Sequence, residues 1–124
     1  MKKLIFYFVS ISLLSSCRDE AVNTIPVGID VQSFFNQDIV QITIDNKEVL
    51  NKQLQTGNIL AVCSDGRINV NLIEGSHIIK ILINNLTTKT ETFSLNKALY
   101  IGVNYYEQTK EISLIYSDHP FGYR

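Results

Sequence analysis

The chain has 124 residues, of which 45% are hydrophobic, so it is long enough for one packed domain and too short for two. Its 11 basic and 12 acidic residues give a net charge of −1. Proteins that bind nucleic acid normally carry a basic excess, so this balance argues against a nucleic-acid partner.

The first residues have the pattern of a secretory signal. Lys2 and Lys3 give a positive start, and an 11-residue apolar run, broken only by Ser10 and Ser12, follows from Leu4 to Leu14. As a helix this run rises about 16 Å, short of the roughly 30 Å hydrocarbon core, so it is not a membrane span. We expect an export signal. Its removal leaves nine basic and 12 acidic residues, a net charge of −3.

The residues after the run resemble the lipobox of bacterial lipoproteins. Leu14, Ser15, Ser16 and Cys17 follow its order of a bulky aliphatic residue, two small residues and a cysteine. The resemblance implies cleavage between Ser16 and Cys17, acylation of Cys17, and a signal peptide of residues 1–16. Several acyl chains anchor a protein stably where one is marginal, so we expect attachment to the outer membrane, on its periplasmic or surface face. The alternative is an ordinary signal peptide in which Cys17 falls by chance.

A tether is predicted after the lipidated cysteine. Arg18, Asp19 and Glu20 resemble the surface-export signal of Bacteroidota lipoproteins; the alternative is the start of a solvated linker. The tether comprises residues 17–27; from Arg18 to Val27 it shows no clear periodicity, and these ten residues reach about 35 Å when extended. This division leaves residues 28–124 for the folded domain.

Apolar and polar residues alternate in four segments of the mature chain. A period of two is typical of antiparallel sheet with one face in water. The apolar faces consist of Val40, Ile42 and Ile44; of Ile68, Val70 and Leu72; of Leu99, Ile101, Val103 and Tyr105; and of Ile112, Leu114 and Tyr116. The segment from His77 to Ile83 has apolar residues on both sides, which predicts a central strand.

Turn signals recur every 8 to 12 residues, the spacing of a sandwich or barrel. They are Asp45-Asn46, Gly57, Asp65-Gly66, Gly75, Asn84-Asn85, Asn96-Lys97 and Gln108. The stretch from Asn46 to Gln55 fits an irregular edge strand or one helical turn. We predict an all-β fold: a single antiparallel, immunoglobulin-like β-sandwich of seven to nine short strands, preceded by a signal helix and a flexible tether. An open barrel is the alternative.

Two segments resemble small sandwich modules of the PEGA type. The first runs from Val40 to Asp45, and the second runs from Leu72 to Ile81 and contains Gly75 and His77. Asn46 stands where the PEGA pattern has Gly, and the Pro-bearing loop expected between the strands is missing. The resemblance implies a non-catalytic envelope module and carries over no site residue.

Cys63, His77 and His119 are the residues best suited to catalysis or metal binding. Cys63 ends an apolar run from Ile59 that we interpret as a buried strand, which makes the thiol a core side chain without a disulfide partner once Cys17 is lipidated. A nucleophilic thiol would need His77 beside it. We expect His77 to bond a turn carbonyl instead and His119 to lie in solvent. Zinc needs three or four ligands, so no metal or cofactor is predicted.

The acidic residues are scattered along the chain. Asp45, Glu48 and Asp65 are expected to be solvated turn residues, because no loop has the dense spacing of a calcium site. The sequence contains no Gly-rich phosphate loop and no Gly-x-Ser-x-Gly elbow. Two-carboxylate glycosidase chemistry needs only that two acids meet in space, but so small a chain leaves little room for a deep cleft. We expect the protein not to be an enzyme.

Aromatic residues crowd the last quarter of the chain. They include Tyr100, Tyr105, Tyr106, Tyr116, Phe121 and Tyr123. Alternation assigns Tyr105 and Tyr116 to the core, and places Tyr100 and Tyr106 on the polar face, about 20 Å apart. These two are a candidate binding surface, unless a second sheet covers that face, because tyrosine combines apolar area with a polar tip. The tail aromatics are expected to cap the end of the sandwich or, alternatively, to make contacts with a partner.

These features favour a lipid-anchored, non-catalytic binding or structural module of the cell envelope. It would contact another envelope protein or a glycan through strand edges and exposed tyrosines. The alternative is a small envelope inhibitor or immunity protein that blocks a secreted hydrolase or toxin, using a loop near Asp65 or Glu74.

Overall fold

The computed structural model describes residues 23–57 and 61–123, and the regular structure in these residues is entirely β-strand. The strands are β1 (Thr24–Val31), β2 (Asn36–Ile44), β3 (Lys47–Gln55), β4 (Arg67–Ile73), β5 (Gly75–Ile83), β6 (Thr87–Leu95), β7 (Leu99–Tyr106) and β8 (Glu111–Ser117). Over the same residues, no helix has the length and apolarity to span a membrane. The predicted signal peptide, Cys17 and most of the tether lie outside the described residues.

The strands form two sheets of four that pack face to face. Sheet A has the order β4-β1-β7-β8, and sheet B has the order β3-β2-β5-β6. The predicted β-sandwich is confirmed, with eight strands in the described residues, and the two separate sheets rule out the open barrel. One pairing differs from an all-antiparallel arrangement, because β1 and β7 run parallel. The chain crosses between the sheets four times, in the manner of immunoglobulin-like sandwiches.

The core lies between the sheets and is built from the alternating apolar residues. Its most deeply buried aliphatic side chains include Val27, Ile29, Val40, Ile42, Ile79, Ile81, Ile83, Ile101 and Val103, all at 0% exposure. Burial of one such side chain stabilises the fold by about 1.5–3 kcal/mol. Of the predicted core aromatics, Tyr105 is in the core at 1% exposure, whereas Tyr116 is 39% exposed and its hydroxyl bonds Glu91 of β6. The assignment of Tyr116 to the core was therefore wrong.

The N-terminal boundary of the domain differs from the prediction. Strand β1 begins at Thr24, so Thr24–Val27 belongs to the sandwich and not to the tether. Pro26 is tolerated because β7 pairs with β1 only from Val27 onward, so that β1 has a neighbour on one side alone at Pro26.

The predicted strand ending at Cys63 is also wrong where the structure describes it. Ala61 to Cys63 form a loop, not a strand. The loop lies against the end of β1, where Cys63 N–H donates to the Val31 carbonyl (2.8 Å) and Gly66 N–H donates to the Cys63 carbonyl (2.9 Å). Apolar residues in this loop are thus buried without being part of a sheet.

Tight turns place the strand ends as the turn signals predict. Asp45 and Asn46 have φ of 52° and 68°, and Asn84 and Asn85 have φ of 54° and 55°. Positive φ at both central residues is typical of type I′ turns, whose twist matches the flanking strands. The segment from Asn46 to Gln55 is an edge strand, β3, and not a helical turn. Gly75, with φ of 130°, lets the chain turn sharply from β4 into β5.

Candidate functional site

Two aromatic dipeptides meet at one end of the sandwich. Phe35 and Tyr105 are buried in the core with ring centroids 5.8 Å apart. Their neighbours Phe34 and Tyr106 point outward, with centroids 5.3 Å apart and ring planes inclined by 37°. Phe34 is 61% exposed and Tyr106 is 44% exposed. The chain neighbours of a buried aromatic pair therefore form a second aromatic pair on the surface.

The backbone of Phe34 is in a conformation that disfavours a large side chain. Its φ is 74°, in the left-handed region that Gly and Asn adopt readily and in which a bulky residue is an outlier. Such conformations cost on the order of 1–3 kcal/mol and occur where surrounding structure enforces them, often at functional sites. An exposed ring returns little of that cost through burial, so folding alone does not explain this residue.

Hydrogen bonds hold the chain on both sides of Phe34. On one side, Ser33 N–H donates to Asn104 Oδ1 (2.9 Å) and the Ser33 carbonyl accepts from Tyr105 N–H (3.2 Å). On the other, Phe35 N–H donates to Thr56 Oγ1 (2.9 Å), and Thr56 N–H donates to the Phe35 carbonyl (3.0 Å). With both neighbours bonded to separate parts of the fold, the backbone on each side of Phe34 is fixed.

A shallow groove of about 470 Å³ opens beside the exposed rings. We call it the aromatic groove; it is lined by Phe34, Phe35, Asn36, Tyr106, Glu107 and Gln108. Aromatic walls with a few polar groups at the rim are typical of small-molecule sites, which usually measure roughly 300–1,000 Å³. The groove has the composition and size of a binding site.

A chain of polar contacts crosses the outer face of sheet A and ends at the aromatic groove. We call it the outer-face network; it comprises Arg67, Asp30, Tyr123, Gln32, Asn104 and the Ser33 amide. The Tyr123 hydroxyl donates to Asp30 Oδ2 (2.7 Å) and accepts from Gln32 Nε2 (2.9 Å), and Asn104 Nδ2 donates to Gln32 Oε1 (3.0 Å). Asn104 Oδ1 then holds the Ser33 amide. The C-terminal tail is thereby connected to the residue that precedes Phe34.

Tyr123 covers a carboxylate that an open sheet face would leave in water. Asp30 is only 8% exposed, and Arg67 lies near both partners, with Nε 3.5 Å from Asp30 Oδ1 and the guanidinium 5.5 Å from the Tyr123 ring centroid. Burial and the bond to Asp30 raise the pKa of Tyr123 to about 12. Tyr123 thus packs across the outer face of sheet A and does not cap the end of the sandwich.

Tyr100 and Tyr106 are not parts of one open surface. Both lie on the outer face of β7, as predicted, but Tyr100 is half-buried over Gly28, where a Cβ would lie 2.8 Å from the ring. Between them, the Gln32 amide packs so closely on Gly102 that a Cβ there would overlap it. Tyr106 instead contacts the ring of Phe34, and the sequence analysis did not predict this contact.

His77 and Asp45 form a second polar contact, at the opposite sheet. His77 Nδ1 lies 2.6 Å from Asp45 Oδ2, and its Nε2 lies 2.7 Å from the Ile73 carbonyl. The second contact is the bond to a turn carbonyl that we expected for His77. Neither acceptor has a proton to give, so both contacts are satisfied as hydrogen bonds only when each ring nitrogen carries a proton, which is the imidazolium form. Asp45 also accepts from Ile78 N–H (2.9 Å). Asp45 is thus a structural partner and not a free turn acid.

The pKa values of this pair move apart. Burial alone lowers the pKa of His77, but the bonds to Asp45 and to the Ile73 carbonyl outweigh it and raise the pKa above 6.5. The bond to His77 lowers the pKa of Asp45 below 3.8. The ion pair fixes the β2–β3 turn to the corner between β4 and β5.

Cys63 and His77 do not meet. The buried thiol lies 3.7 Å from Thr56 Oγ1 and 3.8 Å from the Gln32 carbonyl, while both nitrogens of His77 are bonded elsewhere. Burial raises the pKa of the Cys63 thiol, which opposes formation of a thiolate. The arrangement is that of a core side chain and not of a nucleophile beside a base.

A larger groove of about 550 Å³ lies between β6 and β8 and carries mixed charge. Glu91 is one of its lining residues, but its Oε1 accepts from the Tyr116 hydroxyl (2.7 Å) and its Oε2 lies 3.5 Å from Lys89 Nζ. Burial and the bond to Glu91 raise the pKa of Tyr116. Glu91 and Lys89 are thus engaged with other residues, and the rest of the lining is mainly polar, which makes this groove a weaker candidate for a ligand than the aromatic groove.

The remaining candidates for metal binding are dispersed. In residues 23–57 and 61–123, no three His, Cys, Asp or Glu side chains come together in a way that could hold a metal ion. His119 is exposed, as expected, and contacts its neighbour Asp118.

Phe34 is the functional candidate that the sequence-based reasoning missed. A usable signal was present for its partner Tyr106, because successive side chains of a strand point to opposite sides, so that Tyr105 and Tyr106 could not both be buried on one face. The pairing of the two outer rings depends on the loop conformation, which has no such signal. No family model matches the chain, and neither does any of the curated proteins or solved structures with which it was compared.

Proposed function

We propose that the protein is a non-catalytic binding module of the bacterial cell envelope, anchored to the outer membrane through lipid on Cys17. It contacts another envelope protein or a glycan through the aromatic groove. The lipobox-like segment Leu14 to Cys17 supports the anchor. The observation that carries the binding role is Phe34, an exposed aromatic residue in a conformation that costs stability.

The contacts of the reactive residues support the non-catalytic part of the proposal. Cys63 is buried in contact with Thr56, and His77 is committed to Asp45 and Ile73. A general base needs a ring nitrogen free to accept a proton, and an imidazolium with both nitrogens bonded offers none. A rigid aromatic surface with unused polar groups is suited to recognition instead.

The anchor is tested by Cys17→Ser in cells. The variant should accumulate as uncut precursor and should lose attachment through lipid, because serine provides no thiol to acylate. Membrane fractionation and the size of the mature chain measure both effects. Unchanged fractionation and normal processing would overturn the lipid anchor and leave the groove to be judged separately.

The groove is tested on intact cells with the full lipidated chain. A photo-crosslinking residue at Gln108, at the rim of the groove, should give a product that Phe34→Asn or Tyr106→Ala abolishes. Leu86→Ala is the matched control, since Leu86 is an even more exposed apolar residue, in the β5–β6 turn. A product that persists in Phe34→Asn would show that binding does not use the groove.

The same experiment separates the inhibitor alternative. If charge reversal at Asp65 or Glu74 disrupts a complex with a secreted hydrolase or toxin, and Phe34→Asn leaves that complex intact, a loop and not the groove is the contact. Digestion of the Gln108 product with protease or with glycosidases identifies the class of partner.

A further inference from the structure

We infer that the aromatic groove binds a neutral sugar unit of a glycan. This inference rests on the proposed function and narrows it to one class of ligand. Three features of the groove carry it: its size, the way its apolar and polar groups are distributed, and its charge.

The size of the groove favours a small ligand over a conventional protein interface. Stable protein interfaces bury about 800 Å² on each partner and involve roughly 20–30 residues a side. The aromatic groove has six lining residues and a volume of about 470 Å³, which accommodates one or two sugar rings. A ligand that fits the concavity as it stands is therefore small, or is a short projecting part of a chain.

The distribution of groups matches the two-sided chemistry of a pyranose. A sugar ring has a face of C–H groups and an edge of hydroxyls, so it needs an aromatic surface with hydrogen-bonding groups beside it. Phe34 and Tyr106 provide a continuous aromatic surface because their rings are neighbours and only mildly inclined. Asn36, Glu107 and Gln108 provide amide and carboxylate groups at the rim.

The rim groups are free to serve a ligand. The side chains of Asn36, Glu107 and Gln108 form no hydrogen bond with any other residue that the structure describes, in contrast to the outer-face network, whose polar groups bond one another. The aromatic surface is also preorganised, since the neighbours of Phe34 are bonded to Asn104 and Thr56. Preorganisation reduces the entropy lost on binding, which matters for a weak and small ligand.

The charge of the groove selects against acidic sugars. Among the described residues that line it, Glu107 is the only charged one, and its carboxylate repels a uronate or a sulfate. A groove for a phosphate or an acidic sugar would present Arg or Lys instead. We therefore assign the groove to neutral hexose or N-acetylhexosamine units.

The test uses the full lipidated protein in detergent and fluorescently labelled trisaccharides. The neutral probes are cellotriose, maltotriose, mannotriose and N-acetylchitotriose, and the acidic probe is trigalacturonate. At least one neutral probe should bind, with an affinity that is insensitive to salt, and trigalacturonate should bind at least about tenfold more weakly. The inference would be overturned if no neutral probe binds, or if trigalacturonate binds as strongly as the best neutral probe.

Variants locate the binding. Phe34→Asn and Tyr106→Ala should each weaken the neutral probe by about tenfold or more, Tyr106→Phe should weaken it less because it keeps the ring, and Leu86→Ala should have no effect. Glu107→Gln should improve the binding of trigalacturonate by removing the repulsion. Unchanged sugar binding in Phe34→Asn would place the sugar elsewhere on the protein and overturn the inference.

The two proposals fail in different ways. If no sugar binds while the Gln108 cross-link still depends on Phe34 and is digested by protease, the groove contacts a protein, so the proposed function stands and the sugar inference falls. If the cross-link also ignores Phe34, both fall.

Discussion

The ring of Phe34 lies beside the ring of Tyr106 at 5.3 Å on the surface, while the next pair, Phe35 and Tyr105, lies at 5.8 Å in the core. For the tyrosines, strand alternation explains the opposite burial. For the phenylalanines, the positive φ of Phe34 turns one ring outward. The two pairs have similar chemistry and different purposes: the inner pair stabilises the fold, and the outer pair is available to a ligand.

Phe34→Asn should therefore leave stability unchanged or raise it. Asn accepts a positive φ, and relief of the strain offsets the loss of an exposed aromatic contact, so we expect a gain of 0 to about 1 kcal/mol in the free energy of unfolding. Urea denaturation measures it. Phe35→Ala is the contrast, with a loss of about 3–5 kcal/mol from the core. A loss above about 1.5 kcal/mol in Phe34→Asn would mean that the exposed ring is held for stability.

Asn104→Ala should release the loop that holds Phe34. The Ser33 N–H group and the side-chain oxygen Oε1 of Gln32 each lose their hydrogen-bond partner. This loss costs about 1–3 kcal/mol. Amide hydrogen exchange at Ser33 should accelerate, and the cross-link at Gln108 should weaken because Phe34 is no longer held. Ser113→Ala, opposite Asn104 on the same face of β8, is the control. Retained protection at Ser33 in Asn104→Ala would contradict the proposed role of this bond.

The strand alternation made most of the sandwich predictable. Val40, Ile42 and Ile44 alternate because one side of β2 faces the core, and that periodicity depends on local sequence alone. The start of β1 was not predicted, because Pro26 interrupts the alternation of apolar and polar residues. Pro26 is tolerated there since β1, although central in sheet A, is unpaired on one side at this position. The run that ends at Cys63 was wrongly predicted as a strand, because an apolar loop packed under a strand end has the same composition as a buried strand.

The candidate site was less predictable because its parts come from distant segments. Tyr106 was identified from its place on β7, but its partner is 72 positions away in the β1–β2 loop and depends on one backbone angle. The same limit applies to His77 and Asp45: each was noticed singly, and only the fold shows that they form a pair.

Tyr123→Phe tests the attachment of the C-terminal tail to the outer face of sheet A. It removes the hydroxyl bond to Asp30 and should cost about 1–2 kcal/mol at pH 7, since bonds to charged groups are stronger than neutral ones. The folded pKa of about 12 exceeds the ordinary value of 10.0, so this contribution is fully present below pH 10 and is lost as the pH rises through 12. Denaturation of both proteins at several pH values measures the difference. Tyr106→Phe is the control, and a difference that persists at pH 12 would contradict the assignment.

Asp45→Asn tests the ion pair with His77, and it preserves the turn because Asn also accepts positive φ. The raised pKa of His77 means that its contribution is complete below pH 6.5 and is lost as the pH rises through the folded value. The lowered pKa of Asp45 means that its contribution is complete above pH 3.8 and is lost as the pH falls through the folded value. The pair should therefore stabilise the fold most between pH 3.8 and 6.5, and a double-mutant cycle with His77→Gln should give a coupling of about 1 kcal/mol there, because Asp45 is partly exposed. A coupling that is equally large at pH 9 would mean that His77 is held without its second proton, against the geometry of its two bonds.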